Sequence, residues 1–301
     1  MRTRSRITAL VLSGVAVGML GLAYAAEPLY KAFCAVTGFG GTTQVATERP
    51  KEILDRVVET YRRLRNTVRF LLANIADYDP VAHKLPVTKW LTIDRYALAL
   101  TRDLQERVGN DYLTFEFHKI VQALQHFASE DLGGFYLDIL KDRLYTSAAG
   151  SPARRSAQTA LHHIAHAMLR WMAPFLSFTA EEAWQNFGAS DSIFLETFND
   201  LGQPDAALMA RWAIVQQVRD LANKDIENQR TAGVVGASLQ AELTIQCDGE
   251  THAALAALGD DLKFVFITSA ARVEEAPADA EVAVEVAASS APKCERCWHY
   301  R

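Results

Sequence analysis

Residues 54–74, LDRVVETYRRLRNTVRFLLAN, decide the fold class. Leu54, Val57, Val58, Tyr61, Leu64, Val68, Leu71 and Leu72 step by three and four, which lines apolar side chains along one face of an α-helix. Arg62, Arg65 and Arg69 repeat at similar spacing on another face. Such a stripe is by default the solvated side of a helix, and it also has the period of a phosphate track. Asp79-Pro80 ends the segment, because proline disfavours the helical conformation of the residue before it.

Downstream the helical period continues over about 92–109, 114–129 and 132–142. Ser151-Pro152 opens a further helix, with serine suited to the cap and proline to the first helical position. Its core face is Ala157, Leu161, Ile164, Ala165, Met168 and Met172, and the opposite stripe is Arg155, Thr159, His162, His166 and Arg170. Pro174 interrupts, Thr179-Ala180-Glu181-Glu182 has the form of a capping box for the next short helix, and a long helix covers about 205–229. Short connections between five or six amphipathic helices imply an antiparallel bundle. Residues 238–247, SLQAELTIQC, read as a strand with Leu239, Ala241, Leu243 and Ile245 on one side. A helix over about 251–262 and apolar runs at 264–268 and 281–287, read as strands, complete a small α+β subdomain.

Upstream, residues 7–26, ITALVLSGVAVGMLGLAYAA, carry no charge and are long enough to span a bilayer core of roughly 30 Å. Arg2, Arg4 and Arg6 precede them, which implies a cytoplasmic amino terminus and export of the residues beyond 26. Ala23-Tyr24-Ala25 allows a cleaved signal peptide, but the length of the run favours a membrane anchor. The expected fold is therefore mainly α: an antiparallel helix bundle, a small α+β subdomain and one amino-terminal transmembrane helix.

Composition narrows the function. The 301 residues are 50% apolar and 22% charged, with a net charge of −5, which excludes a uniformly basic nucleic-acid binder. The charge is uneven. Residues 1–50 hold 5 Lys and Arg against 2 Asp and Glu, residues 51–175 hold 17 against 14, and residues 176–301 hold 9 against 20. A polyanion should thus prefer the middle of the chain. Of four cysteines, Cys34, Cys247, Cys294 and Cys297, only the last two are spaced as a metal or redox pair. His162 and His166, at i and i+4, lack the glutamate of a zinc-hydrolase helix and carry little metal signal.

Two resemblances cover most of the chain. Pro28-Leu29-Tyr30-Lys31-Ala32-Phe33-Cys34, with Thr37-Gly38-Phe39-Gly40-Gly41-Thr42-Thr43-Gln44, resembles the start of the CtaG family of membrane-anchored copper chaperones for cytochrome c oxidase, over about 5–45. That resemblance implies copper delivery, but the family's Cys-x-Cys pair is absent beyond it, and Cys34 alone cannot hold Cu(I) with two thiolates. Tyr61-Arg62-Arg63-Leu64-Arg65-Asn66-Thr67-Val68-Arg69-Phe70-Leu71-Leu72 resembles a string of bacterial isoleucyl-tRNA synthetases. So do Asp94-Arg95-Tyr96, the run from Phe135 to Tyr145 and the run from Arg170 to Glu182, over about 51–301 in the family's order. This second resemblance implies a helical anticodon-binding domain followed by the start of a zinc-binding region. His163-Ile164-Ala165-His166 imitates the family's catalytic His-Ile-Gly-His, but Ile164 and Ala165 are core positions of a helix. No catalytic residue and no ATP site are expected in these residues.

Lys293-Cys294-Glu295-Arg296-Cys297-Trp298 resembles the first knuckle of the family's four-cysteine finger, so Cys294 and Cys297 would supply two of four zinc ligands. The resemblance places the knuckle near the anticodon loop. Trp298 could there stack on an unpaired base or pack against the knuckle, while Arg62, Arg65, Arg69, Arg154 and Arg155 reach phosphates. The turn at Ala232-Gly233-Val234-Val235 lacks the lysines that the family carries there. The implied organisation is an anchor (1–46), an anticodon-binding bundle (47–232), an α+β piece (233–290) and an incomplete finger (291–301). The implied partners are isoleucine tRNA and, through residues 7–26, a membrane; no DNA partner is implied. The exported and cytoplasmic addresses conflict, which also admits a membrane-anchored copper-assembly factor or a non-functional fusion of two gene fragments.

Overall fold

The computed structural model describes residues 14, 15, 17–21, 24–31, 51–188, 191–203, 205–278 and 280–301. They fall into two compact units, Met1–Val58 and Glu59–Arg301. The first unit, taken by itself, contains helical stretches within 14–31, where Lys31 pairs with Glu27 at 2.8 Å one turn away, and the opening turns of helix α1 (Lys51–Asn74). No helix among the described residues is long and apolar enough to cross a membrane, so the spanning helix expected at 7–26 is not borne out. Much of that run lies outside the described residues, as do Arg2, Arg4, Arg6 and Cys34.

In the second unit α1 is followed by α2 (Thr92–Leu113), α3 (Phe117–His126), α4 (Leu137–Thr146), α5 (Pro152–Met172), α6 (Ser177–Asn186) and α7 (Ala206–Thr231). Sequence periodicity separates two helices at about residue 130, but no break exists there. Residues Phe127–Tyr136 are wound as a π-helix, with Leu137 N–H donating to the Leu132 carbonyl, and they join α3 to α4. Gly133 sits in this wide turn, where a Cβ would stand 3.0 Å from the Ala128 carbonyl oxygen. The apolar phase slips at such a bulge, which reads as two helices in sequence.

Cross-links sort the helix ends into two groups. At one end Gln158 Nε2 donates to the Asn74 carbonyl at 3.0 Å and Ser156 Oγ donates to Asp94, so the end of α1 meets the starts of α2 and α5. At the other, Tyr112 Oη donates to the Trp171 carbonyl at 2.6 Å and Thr60 Oγ1 to Gln125 Oε1 at 3.2 Å. The helices α1, α2, α3–α4 and α5 therefore alternate in direction, as expected of an antiparallel bundle. Ser151 caps α5 by accepting the Arg154 amide at 3.3 Å, with Pro152 at the first helical position.

Helix α5 is central. Ala157, Leu161, Ile164, Ala165, Met168 and Met172 are fully buried, but so are Thr159 and, nearly, Arg170 on the face expected to be polar. That stripe is covered by Tyr78 and Leu85, beyond α1, which bond Thr159, by Trp184 and Phe187 against the histidines, and by Glu196 on Arg170. Thr159 donates to the Arg155 carbonyl, and Arg170 pairs with Glu196 and stacks 4.6 Å over Trp184. The expected capping box at Thr179 does not form. Helix α6 begins at Ser177, and Glu181 instead accepts the Ile193 amide at 2.9 Å and the Ser192 hydroxyl at 3.0 Å.

A three-stranded sheet follows: β1 (Ala241–Cys247), β2 (Ala270–Glu275) and β3 (Ala283–Ala288), in the order β2-β1-β3. Strand β1 is parallel to β2 and antiparallel to β3. Ala241, Leu243, Ile245 and Cys247 are buried along it, so Cys247 is a packing residue. Helices α8 (Gly249–Ala256) and α9 (Leu262–Phe266) form the crossover that a parallel pair requires. The apolar run 264–268 is thus mostly helix rather than strand. A short buried helix and a buried strand share the same composition, and Ile267, with φ of 55°, ends the helix before β2 begins. Arg219 of α7 ties the bundle to α9 by donating to the Val265 carbonyl at 2.9 Å while lying 5.1 Å from the Phe135 ring.

Candidate nucleic-acid interface

The carboxy-terminal residues fold back on themselves in a tight knuckle. Cys294 N–H donates to the His299 carbonyl at 2.8 Å, Trp298 N–H donates to the Cys294 carbonyl at 2.9 Å, and Lys293 bridges Tyr300. Trp298 completes the reversal with φ of 61°, an unusual conformation for an aromatic residue. The knuckle is fixed to the bundle because Arg296 donates to the Thr146 carbonyl, the last of α4, at 2.7 Å. It is fixed to the sheet because Tyr300 N–H donates to Ser269 Oγ at 2.6 Å. His299 is buried edge-on to Phe264, with ring centres 5.7 Å apart.

Between knuckle, α4 and α9 lies a cleft of about 490 Å³, lined largely by apolar atoms of Ile139, Tyr145, Phe264 and Trp298. Trp298 is 58% exposed, so its ring is not consumed by packing, and Lys293 Nζ sits 5.4 Å from its centre. Tyr145, at the end of α4, is also exposed. Two accessible aromatic faces beside cationic groups can take unstacked bases and their phosphates. Sequence alone does not single out Tyr145, Lys293 or Arg296. Tyr145 reads there as one more helix residue, and only its place at a helix end beside the knuckle distinguishes it.

The arginines separate. Arg62 and Arg69 are exposed on α1 and carry no ion pair among the described residues. Arg65 reaches Glu182 of α6 at 3.4 Å across a shallow groove of about 340 Å³ that Arg69 also lines. Arg154 and Arg155 are not free to reach phosphate. Arg154 forms a two-pronged pair with Asp77 at 2.7 and 3.1 Å, and Arg155 donates to Gln158 Oε1 at 2.7 Å. Burial would raise the Asp77 carboxyl, but hydrogen bonds from Arg154 and Gln158 outweigh it and hold the group below the usual carboxylate range. These two arginines lie at the knuckle's end of the bundle and join the end of α1 to α5, whereas Arg62 and Arg65 lie towards the opposite end. The five basic residues do not form one track.

His163-Ile164-Ala165-His166 forms no nucleotide cradle. Ile164 and Ala165 are buried, His162 and His166 stack at 5.7 Å between ring centres, and His166 contacts Arg170. Burial, then neighbouring positive charge, pushes the three imidazoles down, His162 and His163 to about 4 and His166 to about 3. A guanidinium against His166 opposes a metal cation there.

Cys294 has the surroundings of a metal-binding thiolate. Amides of Cys297 and Arg296 point at its sulfur and hold its thiol down at about 7. Among the described residues no group of three or more His, Cys, Asp or Glu side chains is placed to hold a metal. The pair thus fits one half of a tetrahedral thiolate site.

Residues 94–245 match the family model described as the anticodon-binding domain of tRNA ligase. The chain is 53% identical over 279 residues to the isoleucine–tRNA ligase of Ralstonia pickettii, covering 91% of this chain and 29% of that protein. It is 54% identical over 279 residues to that of Cupriavidus pinatubonensis and 54% identical over 281 residues to that of Thiobacillus denitrificans. The chain spans under a third of the length of these relatives. A share of 91% exceeds what residues 51–301 alone would give, so the likeness reaches into the stretch ahead of Lys51. A separate copper-chaperone fragment over 5–45 is therefore not supported.

Proposed function

From a chain that belongs to the family of anticodon-binding domains of tRNA ligases, we propose that these residues form the tRNA-recognising portion of an isoleucine–tRNA ligase. The observation that carries this beyond family membership is the cleft under the knuckle, where exposed Trp298 and Tyr145 stand beside Lys293 and Arg296. Unstacked anticodon bases would pack on the aromatic faces, each stack being worth about 1–3 kcal/mol. Arg62 and Arg69 would add phosphate contacts, which bring affinity without sequence preference. Arg65 contributes less, being engaged by Glu182. Arg154 and Arg155 are assigned to holding the bundle together.

Cys294 and Cys297 would donate two thiolates to Zn²⁺, which would stiffen the knuckle and so the position of Trp298. The relatives' ligase activity comes to this chain as the reaction its RNA contacts would serve, and the location that activity implies is the cytoplasm. Binding of the isoleucine anticodon stem-loop, measured by fluorescence anisotropy against stem-loops of other anticodons, tests the reading. Trp298→Ala should erode the preference for the cognate loop by roughly tenfold or more, the loss of one stack. Equal affinity for every loop in the unaltered protein would remove anticodon recognition, and equal loss for every loop in the variant would reduce Trp298 to a structural part.

A further inference from the structure

Arg102, in the middle of α2, is half-buried without a counter-ion. Its Nε is buried and unpartnered, and the guanidinium makes neither a hydrogen bond nor an ion pair among the described residues. Arg143, Arg154 and Arg170, also enclosed, each sit on a carboxylate. Two carboxylates act on Arg102 from a distance but are spent elsewhere. Asp200 Oδ1 accepts the Gly202 amide at 2.7 Å, and Asp205 Oδ1 accepts the Leu208 amide at 3.0 Å as the cap of α7. Burial pulls the guanidinium below its ordinary range, and Asp205 and Asp200 restore only part of the loss. Enclosing a cation with no partner is costly, so a group of this kind calls for an anion.

The surroundings suit one. Gly202, at φ of 73°, lays its backbone against the guanidinium, where a Cβ would meet Nη2, Cζ and Nε at 3.7, 3.8 and 3.9 Å. Lys84 is exposed, carries no ion pair among the described residues, and adds its charge at the same place. Burial, then Lys84 and Arg102, push the His163 imidazole down to about 4. Arg95, two turns earlier on the same face of α2, donates only to Thr92 Oγ1, at 3.4 Å, and its Nε is also buried and unpartnered. A strand of phosphates that leaves Arg102 towards the start of α2 therefore meets a second cation free of carboxylate.

We propose that Arg102, flanked by Lys84 and His163, is an anion site that takes a phosphate group. The planar guanidinium supplies N–H donors to phosphate oxygens, and Lys84 adds a point charge. An RNA backbone and free phosphate offer this same chemistry. Arg102 does not line the knuckle cleft, and the site does not depend on how an anticodon is read.

Two arms separate the sources, each comparing the unaltered chain with Arg102→Gln and Arg102→Lys. In the first, filter binding of full-length isoleucine tRNA is followed over a salt series. In the second, inorganic phosphate is titrated against chloride at constant ionic strength while the arginine Nε–H resonances are read by NMR. An RNA phosphate requires Arg102→Gln to flatten the salt slope by about 0.7–0.9 and to weaken tRNA roughly fivefold at 0.1 M salt, with Arg102→Lys keeping most of the affinity. Phosphate alone then shifts no arginine signal. A free phosphate requires a saturable shift of one Nε–H signal that Arg102→Gln removes, with tRNA affinity unmoved. Either result upholds the site. In both, Arg102→Gln should melt no lower than the unaltered chain, because an uncompensated charge has been removed. No effect in either arm would overturn the proposal. So would a loss of tRNA affinity that comes with a lower melt and that Arg102→Lys does not recover, since Arg102 would then be a structural part. If Arg102→Gln does not fold, Lys84→Gln, on an exposed side chain, supplies the same comparison. Absence of anticodon preference would leave this test intact, because it reads the affinity common to all tRNAs.

Discussion

Asp94, which sequence offers only as part of the Asp94-Arg95-Tyr96 resemblance, is a structural junction in the fold. It is fully buried and accepts from Tyr136 Oη at 2.8 Å, Arg143 Nη1 at 3.2 Å and Ser156 Oγ. One carboxylate thereby joins α2, the π-helical segment, α4 and α5. Arg143 is itself nearly buried, so removing its partner strands a charge without water. Asp94→Ala should therefore cost about 3–5 kcal/mol of unfolding free energy, read by urea denaturation, and Asp94→Asn somewhat less. At two other residues the fold reverses an expectation. Arg154 and Arg155 look like surface cations because a sequence does not show that Asp77 comes across from the end of α1, or that Gln158, one turn along α5, takes the Arg155 guanidinium. Cys294 and Cys297 are legible as a pair, since their spacing alone makes the turn that aims amides at sulfur. With no third ligand group beside them among the described residues, Zn²⁺ should be held weakly and lost to a mild chelator. One ion per chain retained by atomic absorption after dialysis against EDTA would contradict that.

At the level of elements, local patterning is sufficient where a helix shows one apolar face and insufficient where neighbours cover both. Helices α1, α2, α5 and α7 follow from period and caps. The strand expected at 264–268 lies further on, as β2, because Phe264, Val265 and Phe266 fit a strand as readily as the buried helix they form. The polar stripe of α5 has the pattern of a solvated face, and its burial has a consequence for stability against pH. His162, His163 and His166 titrate near 6.5 when unfolded, but burial holds them near 4, 4 and 3 in the fold. Between pH 6.5 and about 4 the unfolded chain therefore binds more protons, and stability falls as the pH falls through that window. Arg170, Lys84 and Arg102 strengthen the effect by repelling a protonated ring. Asp131 and Asp261, whose carboxyls burial raises, act in the opposite direction. Urea midpoints at pH 7.5 and pH 5 should show the loss. His162→Gln should shrink the difference between the two, whatever it does to stability at pH 7.5.

For the whole molecule the balance of charge limits how RNA can be held. The chain carries −5 overall, with 20 acidic against 9 basic residues beyond 175, so a polyanion must be met by local clusters rather than by a general field. The middle of the chain does carry the excess of basic residues, but several of those are consumed. Arg143 belongs to Asp94, Arg154 to Asp77 and Arg170 to Glu196. What remains on α1 is Arg62 and Arg69, with Arg65 partly held by Glu182. Each phosphate contact contributes about 0.7–0.9 to the slope of log affinity against log salt. Replacing Arg62 and Arg69 by glutamine should accordingly flatten that slope by about 1.4–1.8 for full-length tRNA, and adding Arg65→Gln should flatten it by less than one further contact. The loss should be the same for isoleucine and other tRNAs, because phosphates carry no sequence. Filter binding over a salt series at constant pH measures both slopes. A slope unmoved by the pair would place the phosphate contacts on another face. A loss confined to the isoleucine tRNA would instead mean that α1 reads bases.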